Sequence, residues 1–136
     1  MLVAASVVLF LDQWSKRVVE LRAGHSAVSV GSAVRIRHTR NARDVYSNNV
    51  VRVAMVTVWL AALVSGIMLH RAGDQLQSRT ALVGLGAALG GAAGNLLDIL
   101  RRRFIVDFID LGWWPVFNLA DVAIIAGLVL ALWPAR

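Results

Sequence analysis

The sequence predicts an all-α integral membrane protein, with four transmembrane helices and a small sheet at the membrane surface. Two observations carry this reading. The 136 residues are 58% hydrophobic and 16% charged, whereas soluble domains run at about 45–50% apolar and about 25% charged. A chain this short buries too little of its own surface to hide so much apolar area. Three stretches also reach the roughly 17–25 apolar residues that a bilayer-crossing helix needs, and a fourth reaches it in part.

The first helix is predicted over residues 1–19. Met1–Leu11 is uncharged, and continuation through Asp12, Gln13 and Lys16 to about Val19 brings it to span length. The alternative, a signal-peptide core, calls for a basic n-region and a small-residue cleavage site, and this segment offers neither. In the connection that follows, Ala27-Val28-Ser29-Val30 and Val34-Arg35-Ile36-Arg37 alternate. They read as short strands turned at Gly31-Ser32. The second helix is predicted over 50–69, with Arg52 at its edge. The third covers 80–97 without a charge and ends at Asp98. Its Gly86, Gly90 and Gly94 lie four apart on one face, a pattern that lets a second backbone approach. A phosphate-cradling loop needs a preceding strand and a following Lys-Ser/Thr pair, and both are missing. The fourth helix, 116–133, holds Asp121. The whole chain, 1–136, reads as one four-span domain with both termini on one side.

Several chemistries drop out. With no cysteine there is no disulfide, Cys-type zinc site or thiol nucleophile. His25, His38 and His70 are scattered without metal-ligand spacing, and Ser15-Lys16 are adjacent helix residues that point about 100° apart. The net charge of +6 suits anionic lipid head groups in so apolar a chain, rather than nucleic acid.

Carboxylates remain. Asp12, Asp98, Asp107, Asp110 and Asp121 lie at or near span ends, where ionisable groups point to function. Asp121 follows Asn118 by three, so it reads equally as half of a capping box or as a catalytic group. Asp98 follows Asn95 by three and shares its helix face; at the end of a helix it calls for a cation, with Arg101–Arg103 nearby. Asp107 lies in Phe104-Ile105-Val106-Asp107-Phe108-Ile109-Asp110, an extended apolar run that predicts partial burial. Asp110 is nearer the Gly112-Trp113-Trp114-Pro115 turn and solvent. The two tryptophans suit an interfacial belt.

Four pieces in order resemble the prolipoprotein (type II) signal peptidases of bacteria: Asp12-Gln13-Trp14-Ser15-Lys16, Gly90-Gly91-Ala92-Ala93-Gly94-Asn95-Leu96-Leu97-Asp98, Val106-Asp107-Phe108 and Phe117-Asn118-Leu119-Ala120-Asp121. The resemblance implies an intramembrane aspartyl endopeptidase that removes a signal peptide just before a diacylglyceryl-modified cysteine. It implies Asp107 and Asp121 as the catalytic pair, supported by Asn95, Asp98 and Asn118. Asp12 and Lys16 would be structural or contact lipid and substrate, and Asn41 would lie in a loop over the substrate. Two carboxylates sharing one proton can activate water and protonate a leaving amine, with no metal or organic cofactor. The implied partners are the prolipoprotein and membrane lipid, not nucleic acid, and the implied state is a monomer. The implied location is the bacterial cytoplasmic (inner) membrane, multi-pass, with the active site and a β-rich cradle on the extracytoplasmic side.

The chain departs from the family pattern. Arg40-Asn41 is kept, but Arg43-Asp44 stands where the family has Gly-Ala, and Ile99 follows Asp98 where the family has Arg. The altered Asn41–Ser47 loop motivates an alternative: a catalytically weakened relative that binds lipid-modified peptides without cutting them. An unrelated membrane subunit whose acids carry protons would give no reason for the motifs in order. The Lys/Arg count places the two larger connections in the cytoplasm, the reverse of the topology the resemblance implies.

Overall fold

Apolar runs of about twenty residues without proline satisfy their backbone groups within one helix, and the computed structural model places helices on all four. It describes residues 1–22, 28–30, 34–41, 49–72 and 78–132. In chain order these form α1 (Leu2–Arg22), β1 (Val28–Val30), β2 (Val34–Asn41), α2 (Asn49–Ala72), α3 (Arg79–Arg102), β3 (Ile105–Asp110) and α4 (Leu119–Leu132). Among the described residues, α3 alone is both long and apolar enough to cross a bilayer by length and composition.

Helix ends follow local chemistry rather than the limits of the apolar runs. Ser78 caps α3 by accepting the Ala81 N–H at 3.0 Å, and Arg103, at φ 62°, ends it with its N–H on the Ile99 carbonyl. The helix therefore continues to Arg102 instead of stopping at Leu97. Asp98 is not its C-terminal residue; Arg101 and Arg102 occupy the last turn, where cations favour the macrodipole. The last helix starts at Leu119 rather than at 116, because Phe117 bridges Ile109.

Helix α3 is the hub and packs against α1, α2 and α4. Small residues set the spacing. A Cβ added at Gly90 would run into the backbone of Ala5 on α1, and one at Gly84 would lie 2.5 Å from the carbonyl oxygen of Gly127 on α4. Direct backbone approach of this kind is what small-residue stripes permit. Gly86, Gly90 and Gly94 all face α1, and Gly94 lies against the Asp12 carboxylate.

The three strands form one antiparallel sheet in the order β1-β2-β3. Strand β1 pairs Val28 with Ile36, and β2 sets Thr39 opposite Asp107 and Asn41 opposite Ile105. Between Ile36 and Thr39 the register shifts by one residue, a bulge in β2. The expected turn at Gly31-Ser32 and the loop residues 42–48 lie outside the described residues, as do the side chains of β1 and β2.

Polar and charged side chains take a large share of the interior, and large apolar ones stay outside. Four of the six largest fully buried side chains are polar (Lys16, Asn118, Asp12 and Asp98), while Val3, Phe10, Trp14, Val53, Ile125 and Leu132 are exposed. Buried charges and an apolar exterior are what a lipid surrounding selects, because ionisable groups must then face the bundle interior.

Candidate active site

The site is built where the end of α1, the C-terminal half of α3, strand β3 and the start of α4 meet. Strand β3 ends in a tight return: the Asp110 carboxylate accepts the Gly112 N–H at 2.8 Å, and Gly112 adopts φ +81°, which favours glycine. Phe108 and Ile109 then donate to the Phe117 carbonyl, and Phe117 donates back to Ile109. This closure brings Asn118 beside Asp107.

The start of α4 is a reciprocal cap. Asn118 Oδ1 accepts the Asp121 N–H at 3.0 Å, and Asp121 Oδ2 accepts the Asn118 N–H at 3.1 Å. A second donor of this turn, the Ala120 N–H, is taken by Asp12 Oδ1 at 3.0 Å. The capping reading of Asn118 and Asp121 therefore holds. It leaves the other Asp121 oxygen free to point at α3, where Oδ1 accepts from Asn95 Nδ2 at 2.9 Å.

Two asparagines link the carboxylates. Asn118 Nδ2 donates to Asp107 Oδ1 at 2.8 Å and to Asn95 Oδ1 at 3.0 Å. Asp107 and Asp121 thus hang on one short amide chain, Asp107–Asn118–Asn95–Asp121. Asp107 is 4% exposed and Asn118 is fully buried. Asp121 is half-buried and lines an apolar groove of about 580 Å³ with Trp113, Trp114, Val122 and Ile125. A second groove, of about 470 Å³, reaches Asn95 between Trp59 and Ile124.

Beneath the asparagines lies an ion cluster. Lys16 Nζ is 2.8 Å from Asp12 Oδ2, 2.8 Å from Asp98 Oδ2 and 3.0 Å from Asn95 Oδ1. Asp98 also receives Arg102 at 2.7 Å, and Arg102 reaches Glu20 at 3.1 Å. Asp98 therefore has two cations, Arg102 four residues on, from the group expected, and Lys16 from α1. Gln13 Nε2 donates to the Gly94 carbonyl and to Asp98 Oδ1, each at 3.1 Å. This cluster ties the second half of α1 to the C-terminal half of α3.

The structure brings together Asp107, Asp121, Asn95, Asn118, Asp98, Asp12 and Lys16. Asn41 is placed at the end of β2, two residues along the sheet from Asp107, and its side chain is outside the described residues. Sequence reasoning gave no role to Gln13 or Glu20, and it placed Arg102 beside Asp98 only as one of Arg101–Arg103; the i,i+4 spacing of Asp12–Lys16 and Asp98–Arg102 is the signal that exposes the ion pairs. Among the described residues, no group of three or more His, Cys, Asp or Glu could hold a metal ion.

A family model described as signal peptidase (SPase) II matches residues 4–135. The chain belongs to the signal peptidase II family. Members similar to it include a lipoprotein signal peptidase of Rhodococcus jostii (strain RHA1), 36% identical over 94% of this chain and 68% of that one. Another is the lipoprotein signal peptidase of Moorella thermoacetica, 35% identical over 97% of this chain and 89% of that one. The fold is shared with a bacterial membrane enzyme solved by the in meso method at 1.9 Å, at a TM-score of 0.80 and 21% identity, covering 94% of this chain and 86% of that one. Within this signal peptidase II framework, the motif residues fall at the joined ends of α1, α3, β3 and α4.

Proposed function

We propose that the protein is an intramembrane aspartyl endopeptidase that removes the signal peptide from diacylglyceryl-modified prolipoproteins, cutting just before the lipidated cysteine. The observation that carries this reading is the amide chain joining Asp107 to Asp121 beside an apolar groove. Two carboxylates in one site share a proton. The ionised one takes a proton from water as the water oxygen attacks the scissile carbonyl carbon. The protonated one stabilises the developing oxyanion and then supplies the proton to the cysteine amine as the C–N bond breaks. Asn95 and Asn118 hold the two carboxyl groups in place by their N–H donors.

The four helices act as four spans of one domain, and the sheet forms a cradle over the carboxylates on the extracytoplasmic side. There water reaches the site while the acylated substrate stays in lipid, its apolar parts held along the groove lined by Ile125 and the tryptophans. The protein works as a monomer in the cytoplasmic membrane. The binding-only alternative rests on residues 42–47 alone, and the intact carboxyl–amide chain favours cleavage. The test is cleavage of a diacylglyceryl-modified prolipoprotein by purified protein in detergent: a mobility shift supports the reading, and tight binding without a shift favours the alternative.

A further inference from the structure

Lys16 is fully buried, and an ammonium has three N–H donors and no acceptor. Its three polar neighbours are Asp12 Oδ2, Asp98 Oδ2 and Asn95 Oδ1. Two carboxylates already answer its charge; the contact with Asn95 does something else. The two ends of an amide have nearly the same shape, and its partners decide which way it points. Only the carbonyl end can face an ammonium at 3.0 Å. Asn95 must then turn its NH2 away, onto Asp121 Oδ1, while the same carbonyl oxygen accepts Asn118 Nδ2, whose other N–H goes to Asp107.

This matters because the reaction moves protons on and off both carboxyl groups. A protonated carboxyl can donate, and an unanchored asparagine can flip to accept from it. The Lys16 ammonium, held between two carboxylates, has no lone pair to accept with, so it forbids the flip of Asn95. We propose that Lys16 is a positioning residue for the cleavage reaction. Acting through Asn95, it keeps amide donors aimed at Asp121 and, by way of Asn118, at Asp107 throughout the proton-transfer cycle. The proposal rests on the catalytic reading of those two residues.

The test must separate this role from charge pairing alone. The double variant Asp12→Asn/Lys16→Met removes one carboxylate with the ammonium and leaves Asp98 paired with Arg102. We expect kcat to fall about 10–100-fold, the size seen when a supporting partner of a reactive group is lost, with KM within about twofold. On an Asn95→Ala background the same pair of changes should lower kcat by less than about threefold, because residues acting through one another are not additive. Unchanged kcat in the double variant, or an equal loss on both backgrounds, overturns the proposal. Asn95→Asp provides a reading independent of the folding of the double variant. It keeps Lys16 fully paired but sets a carboxylate oxygen against Asp121 Oδ1. The proposal expects at least about a tenfold loss of kcat, and wild-type kcat overturns it. Asp121→Asn, measured alongside, distinguishes the two failures: if it stays active the catalytic reading itself has failed, and if it is dead while Asp12→Asn/Lys16→Met is fully active only the role of Lys16 has.

Discussion

At the scale of single residues, Asn118 has two jobs that separate experimentally. It caps α4 through Oδ1 and holds Asp107 through Nδ2. Asn118→Ala should cost about 1 kcal/mol of stability, as lost N-caps do, and should also lower kcat steeply. Ser78→Ala removes the equivalent cap of α3, far from the carboxylates. It should cost a similar ~1 kcal/mol and leave kcat unchanged. Thermal unfolding in detergent beside steady-state cleavage checks both; equal effects of the two variants on kcat would mean that Asn118 acts only through stability. The carboxylates that the structure gathers were legible as candidates because acids at membrane depth are costly and therefore few. Their connections were not. Nothing periodic in the sequence relates Asn95 to Asn118, 23 positions apart, and the burial of Lys16 follows from tertiary packing against α3, not from the polar second half of α1.

At the scale of elements, close backbone approach is the principle that holds α3 against its neighbours. Gly90→Val should force α1 from α3 and destabilise the protein by about 1–3 kcal/mol, the usual cost of overpacking. An unchanged melting temperature would contradict the packing derived from Ala5 and Gly90. The helices themselves were readable from long apolar runs, and the glycine face from its spacing of four. Three boundaries were not. The end of α3 depends on Arg103 in a left-handed conformation and on the Asp98–Arg102 pair, both beyond the apolar run. The start of α4 depends on the Asn118 cap. Strand β2 continues through His38, Thr39, Arg40 and Asn41, whose polar character hides a strand that pairing with β3 specifies. The run Phe104–Asp110 showed its extended form but not its partner, because register across a sheet is fixed by contacts distant in sequence.

At the scale of the whole molecule, an apolar exterior around a charged interior sets the environment, and the orientation in that environment is open to direct test. The chain has no cysteine, so single cysteines report it cleanly. Trp113→Cys lies at the exposed turn after β3, and Arg79→Cys at the exposed start of α3. In intact cells a membrane-impermeant maleimide should label the first and should reach the second only after permeabilisation; the opposite pattern would mean that the arginine bias, not the family arrangement, sets the topology. The central claim is that Asp107 and Asp121 together cut the prolipoprotein. Its most direct test is a gel-shift cleavage assay of wild type, Asp107→Asn and Asp121→Asn on a diacylglyceryl-modified prolipoprotein. Wild type should cut, and each variant should lose at least about a hundredfold in rate, as expected for a lost general acid or base. Full activity in either variant, or no cutting by wild type of a substrate that another signal peptidase II cleaves, would contradict the account.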